Sequence, residues 1–190
     1  MASFRILPGL PPYGKTARPF PHEFGRVGRE GTVVEFTNSQ GGSWVGNFEP
    51  GYGAASQVMT HPDGHRALIL AGDDLWSADP DDEQAELLAR AVNSIWPVHN
   101  PDGFVIEWQG LAFFRLAAQG VLWHTRRLSW DGFAGIDISP TGLRGMAWSP
   151  IEDRWMSFAV NLSTGESTGG SFGEGDPEGW ERLSSANHAA

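Results

Sequence analysis

The sequence predicts a mainly β protein: antiparallel sheets packed together, with one inserted α-helix. Three observations carry that expectation. Runs of four to nine residues rich in Val, Ile, Trp and Phe recur along the chain, bounded by Gly, Pro, Asp or Asn. A Pro-Asp-Gly unit at 62–64 returns 39 residues later at 101–103. One segment alone, between Pro80 and Pro97, switches to helical spacing.

Composition bounds the answer. A chain of 190 residues suffices for one domain with a sizeable core, and 40% hydrophobic residues with 12% aromatics suit a folded globule. The apolar runs Ala67 to Ala71 and Leu111 to Phe114 fall far short of the roughly 18 residues a membrane span needs, so no membrane association is expected. Pro8, Pro11 and Pro12 interrupt anything like a signal-peptide core, and the expected location is the cytoplasm. There is no cysteine, which removes disulfides, thiolate catalysis and Cys-type zinc sites together.

Residues 1–30 are rich in Pro, Gly and Arg without apolar periodicity and read as an extended arm, whose Phe4, Ile6, Leu7, Tyr13, Phe20 and Phe24 need burial. A β domain is expected over 31–172. TVVEFTN and SWVGNF form a hairpin around Gly41 and Gly42. HRALILAG, DLWSA, FVIEWQ, LAFFRLA, VLWHTRRLS, GIDIS, LRGMAWS, RWMSFAVNL and ESTGGSF follow as further strands. Between them, apolar Ala85, Leu88, Ala89, Val92, Ile95 and Trp96 predict an amphipathic helix over about 82–96. Asp79 would cap it, Pro80 would open it, Asp81, Asp82 and Glu83 would favour its dipole, and Pro97 would stop it. Residues 173–190 read as a tail, pinned by Trp180 and Leu183.

The turns suggest a repeat. Each Pro-Asp-Gly precedes an apolar strand, a Gly, and a second apolar strand bearing an aromatic, and Ser163-Thr164-Gly165 separates two later strands in the same manner. PDGHRALILAGDDLWSAD resembles the strand-turn units of TolB-type β-propellers, while AAQGVLWHTRRL and VNLSTGE resemble segments of quinoprotein-type blades. Over residues 10–172 the chain also resembles small bacterial proteins sharing LPPYG, EGTVVEF, WVGNF, HPDG, RRLSWDGF and a GGS-aromatic end. That family comes with no activity and transfers no site. The propeller likeness implies blade-like sheets, about three in number, packed as an incomplete propeller or sandwich rather than a closed ring of roughly four to eight blades.

Charge is uneven. Residues 1–30 hold Arg5, Lys15, Arg18, Arg26 and Arg29 against Glu23 and Glu30, whereas 73–86 hold Asp73, Asp74, Asp79, Asp81, Asp82, Glu83 and Glu86 with no base. Such a field repels nucleic-acid phosphates and attracts a basic protein. Helix capping would account for about half of it.

The motifs with catalytic or metal potential weaken on inspection. His61, Asp63 and His65 could offer three ligands to zinc. The second Pro-Asp-Gly unit, however, has Phe104 where His65 stands and its only histidine, His99, one place further out, so the turn repeats and the ligand set does not. Gly169 to Gly173 match G-x-S-x-G, yet GEGDPEG follows where a nucleophile elbow needs a helix. Asp73 with Asp74 and Glu152 with Asp153 are sequence neighbours, which point to opposite faces of a strand and cannot act as a carboxylate pair. Arg126 and His124 would share a strand face, with salt bridges to acidic groups the expected role for the arginines. Of nine tryptophans, Trp44, Trp76, Trp108, Trp123, Trp148 and Trp155 lie in β-runs and are expected mostly in the core, with Trp130 and Trp180 more exposed.

No catalytic residue and no cofactor is assigned. The sequence predicts a non-enzymatic protein that binds a basic protein partner through an acidic, Trp-containing surface comprising Asp73, Asp74, Trp76, Asp79, Asp81, Asp82 and Trp130. An immunity or inhibitor protein is one form of it. A small-ligand or carbohydrate-binding domain is the alternative, and a metal-assisted hydrolase using His61, Asp63 and His65 a third.

Overall fold

The computed structural model describes residues 3–27, 29–98 and 103–173. The chain divides into two compact units at Ala91/Val92, and each unit contains two four-stranded sheets. The expected β character is therefore present, in four sheets among the described residues where the turn repeat suggests three blade-like units.

In the first unit one sheet has the order β1(Ser3–Ile6), β3(Thr32–Thr37), β4(Ser43–Phe48), β2(Arg18–Phe20). The expected β3–β4 hairpin forms, with Gly41 at φ 83° in its turn. The N-terminal arm does more than lie on the surface: β1 pairs antiparallel with β3, and β2 pairs parallel with β4. The second sheet is a meander of β5(Ala55–Thr60), β6(Ala67–Gly72), β7(Asp74–Asp79) and β8(Gln84–Ala89). The two sheets face each other across Val34, Phe36, Trp44 and Phe48 from one and Ala67, Ile69, Ala71, Trp76 and Ala78 from the other. Phe36 stacks on Trp44 with centroids 4.1 Å apart, and the Trp44 ring N–H reaches across to the Pro80 carbonyl at 2.9 Å.

The second unit holds a meander of β9(Val92–Pro97), β10(Phe104–Trp108), β11(Ala112–Ala117) and β12(Gly120–His124). A further meander comprises β13(Phe133–Ile138), β14(Gly142–Ser149), β15(Arg154–Asn161) and β16(Ser167–Gly169). Their shared core contains Val105, Phe113, Trp123, Leu143, Phe158 and Val160, with Phe133 closing on Phe113 at 4.5 Å.

The expected helix over 82–96 is replaced by β8, a turn at Arg90-Ala91, and β9. The apolar content of the segment also fits a period of two: Ala85 and Leu87, the latter outside the helical pattern, pack on the first core, and Leu88 is the extra residue of a bulge, because Leu75 pairs with Ala89 while Trp76 pairs with Leu87. β7 is buried at five of its six positions, so its outer backbone groups need a strand beside them, and β8 supplies it. The capping signals serve a turn instead. Asp79 Oδ1 accepts the Asp81 N–H at 2.8 Å and Asp82 Oδ1 accepts the Gln84 N–H at 2.9 Å, while Glu83 takes φ 59°. Helix caps and Asx turns draw on the same side-chain chemistry, so the same residues announce either one.

Both Pro-Asp-Gly units join the first and second strands of a meander. The first is closed by the His61 N–H on the Arg66 carbonyl at 2.8 Å, and the second by the Val98 N–H on the Gly103 carbonyl at 2.9 Å. Pro101 and Asp102 of the second unit, and His99 before it, lie outside the described residues. A third connection, Ser139-Pro140-Thr141-Gly142 between β13 and β14, continues the series: His61, Asn100 and Ser139 each precede a Pro-x-Gly and follow one another at 39 residues.

Candidate partner-binding surface

The histidine-rich turn resolves into two separate contacts. His61 is 2% exposed, with Nδ1 3.0 Å from Asp63 Oδ2 and 3.2 Å from the Asp63 N–H. His65 turns elsewhere, with Nε2 3.0 Å from Asp79 Oδ1 and 3.7 Å from Asp81 Oδ2. Asp63 accepts the N–H groups of His65 and Arg66 and the Arg66 Nε at 2.7 Å. Among the described residues no group of three His, Asp or Glu could hold a metal ion. Burial, with the Arg66 charge, pushes the His61 pKa down. Burial works against the Asp63 charge, yet the Arg66 side chain and the two backbone N–H groups outweigh it and hold that carboxyl well below the usual range.

The acidic run is largely committed to its own unit. Asp74 is buried and 3.7 Å from Arg90, and burial raises its pKa. Asp73 is half-buried in the β6–β7 turn. Asp79 binds His65, and Asp81 accepts the Ser39 N–H at 2.7 Å, the bond that holds its pKa down. Glu83 pairs with Arg18, and Glu86 lies 3.4 Å from Arg66. Asp82 is exposed, its carboxylate spent on the Gln84 N–H. Trp76, placed by the sequence on the same surface, is 4% exposed and packs on Phe48 in the core.

Other sequence candidates take structural roles. β12 stops at His124, so strand alternation does not extend to Arg126 and Arg127. Among the described residues these arginines bond to carbonyls in place of the expected ion pairs: Arg126 donates to Gly169 and Phe172, and Arg127 to Ser129 and Trp130. The Arg127 guanidinium also sits 4.3 Å from the Phe172 ring and 4.9 Å from that of Trp130, which is half-buried. Ser171, the G-x-S-x-G serine, donates to the Trp148 carbonyl at 2.5 Å and ties down a chain crossing. Glu107 is buried on β10, and desolvation raises its pKa. Trp180 and Leu183 lie outside the described residues.

The surface that sequence reasoning missed is on the last sheet. In the β14–β15 hairpin Leu143, Gly145 and Ala147 pair with Val160, Phe158 and Met156 on the core side, so Trp148 and its partner Trp155 point outward. Their rings stand 5.2 Å apart at 58°. Trp155 is 43% exposed, and Ile151 at the hairpin tip is 73% exposed. A signal for this exists in LRGMAWS: once Leu143 and Ala147 are placed inside, Trp148 must face out.

No protein-family model matches this chain, and no curated protein matches it.

Proposed function

We propose that this is a non-enzymatic binding protein that engages a macromolecular partner through an acidic, Trp-bearing surface, an immunity or inhibitor protein being one form of that reading. The carrying observation is the outward cross-strand pair Trp148–Trp155 with Ile151 beside it. Isolated exposed apolar residues mean little, but two indoles and a branched aliphatic side chain on one hairpin concentrate the residue types that dominate protein interfaces. The surface is thus assigned to the β14–β15 hairpin and not to the acidic run at 73–82. A 58° angle between the rings makes a wedge, which suits a partner's side chain better than the flat face of a sugar.

The test is site-specific photo-crosslinking with a benzophenone amino acid at 155 in the native host. The expected result is one macromolecular adduct, identified by mass and lost when Trp148→Ala is added. The purified partner should then bind Trp155→Ala about tenfold or more weakly. Tryptophan quenching by an oligosaccharide panel, with no adduct, would transfer the assignment to the carbohydrate-binding alternative.

A further inference from the structure

The Trp148–Trp155 corner has charge as well as apolar surface. The Trp130 N–H donates to the Trp148 carbonyl at 3.3 Å and the Trp148 N–H to the Gly132 carbonyl at 3.2 Å, which brackets the exposed Asp131 beside Trp148. The hairpin turn adds the exposed acids Glu152 and Asp153, the latter at φ 49°. The nearest base in sequence, Arg154, is held by Glu152 at 2.5–2.7 Å. The exposed indole of Trp155, paired with the half-buried Trp148 and with acids close by in the chain, is complementary to a cation carried on an aliphatic stem: the ring face attracts the charge, the stem covers apolar surface, and the carboxylates complete the field. The chain seats one of its own guanidinium groups over aromatic rings, that of Arg127 on Trp130 and Phe172.

We infer that the corner takes a basic protein segment, with an arginine or lysine side chain laid on the face of Trp155 and neighbouring cations against Asp131 and Asp153. This deepens the binding reading above and rests on it. Phosphate-bearing partners are disfavoured, because the same acids, on a chain of net charge −10, repel them. The overall charge also speeds encounter with a basic partner in a salt-dependent manner.

The probe is an end-capped, fluorescent octapeptide of alternating Arg and Leu, with a Glu-for-Arg counterpart, titrated into the full chain by anisotropy at low and moderate salt. The Arg-Leu peptide should bind, more weakly as salt rises, and the Glu-Leu peptide should not. Trp155→Ala should weaken binding about tenfold or more, and Trp155→Phe, which keeps an aromatic face, should retain most of it. Asp131→Asn with Asp153→Asn should weaken it severalfold and flatten the salt dependence. Glu166→Gln, an exposed acid just past the opposite end of β15, should change nothing. Equal binding of the two peptides, or full binding by a folded Trp155→Ala, overturns the inference. If crosslinking at 155 still yields the adduct while the Arg-Leu peptide fails, the binding reading stands and the basic partner falls; if both fail, both fall.

Discussion

The loops Asp79-Pro80-Asp81-Asp82-Glu83-Gln84 and Ser149-Pro150-Ile151-Glu152-Asp153-Arg154 are built to one plan and put to opposite uses. Each joins two antiparallel strands through four turn residues that begin with Pro and end with an acid in the left-handed region, φ 59° at Glu83 and 49° at Asp153. Each is flanked by a cross-strand pair in the same register: Ala78 with Ala85 in the first unit, Trp148 with Trp155 in the second. The first loop is held on every side, by His65 on Asp79, the Ser39 N–H on Asp81, Arg18 on Glu83 and the Trp44 ring N–H on Pro80. In the second loop, Ser149 Oγ accepts the Glu152 N–H and Arg154 pairs with Glu152, bonds local to the turn. A turn sequence thus specifies its own backbone, whereas the adjoining pair and the side chains at the tip decide whether it is bound inward or offered outward.

The contrast is sharpest at the flanking pair. Ala78 is fully buried in the first core, so Ala78→Trp has nowhere to put an indole and should cost roughly 3 kcal/mol or more, read as a lowered urea midpoint. The opposite exchange, Trp155→Ala, removes a ring that is 43% exposed and should cost no more than about 1 kcal/mol of stability while it weakens partner binding. A stability loss as large as that of Ala78→Trp would make Trp155 a packing residue and end its candidacy.

Acid should act through the first unit's turns. His61 has a pKa below its ordinary 6.5 in the folded chain, so the unfolded chain binds its proton first. Its contribution is complete above pH 6.5 and is lost as pH falls through the folded value. Asp63, also shifted down, contributes above its ordinary 3.8 and loses that contribution on further acidification. Asp74, shifted up, runs the other way: its contribution is present below 3.8 and disappears as pH rises through the folded value. The His61 contribution should therefore begin to fall as pH drops below 6.5. The slope from His61 is at most about 1.4 kcal/mol per pH step of one, the limit for a single proton taken up on unfolding. His61→Asn, which retains an acceptor for the Asp63 N–H, should flatten that slope in urea titrations run across the range. An unchanged slope would show that His61 does not control the acid response.

Legibility differs from strand to strand. β3, β4, β6, β7, β10 and β11 are readable in the sequence because compact apolar runs end in Gly, Pro or Asp. β5 is not, because ASQVMT is polar at three of its positions and acquires strand form by pairing with β6. β8 and β9 read as a helix because an apolar pattern compatible with both periods is decided by the strand next to it, which no local window contains. Of the candidate surface, the acids at 73–82 are conspicuous as a charge run. Charge in sequence does not reveal which carboxylates are consumed by neighbours 14 to 42 residues away, as Asp79 and Asp81 are. The outward Trp pair becomes visible only once the face of β14 is fixed.

The smallest effect tests the loops' shared backbone. Glycine at a left-handed position relieves the strain a Cβ suffers there, which commonly stabilises by a few tenths of a kcal/mol to about 1 kcal/mol, less the extra entropy it gives the unfolded chain. No side-chain bond of Asp153 to another described residue offsets that strain, so Asp153→Gly should leave stability unchanged or raise it slightly. Glu83 also holds Arg18 across from strand β2, so Glu83→Gly loses an ion pair between half-exposed groups, worth up to about 1 kcal/mol, and should come out neutral or mildly destabilised. The quantity that matters is the difference between the two variants in parallel urea unfolding, and adding Arg18→Ala to both should shrink it. If the difference persists without Arg18, the two loops diverge in backbone energetics and not only in what their side chains hold.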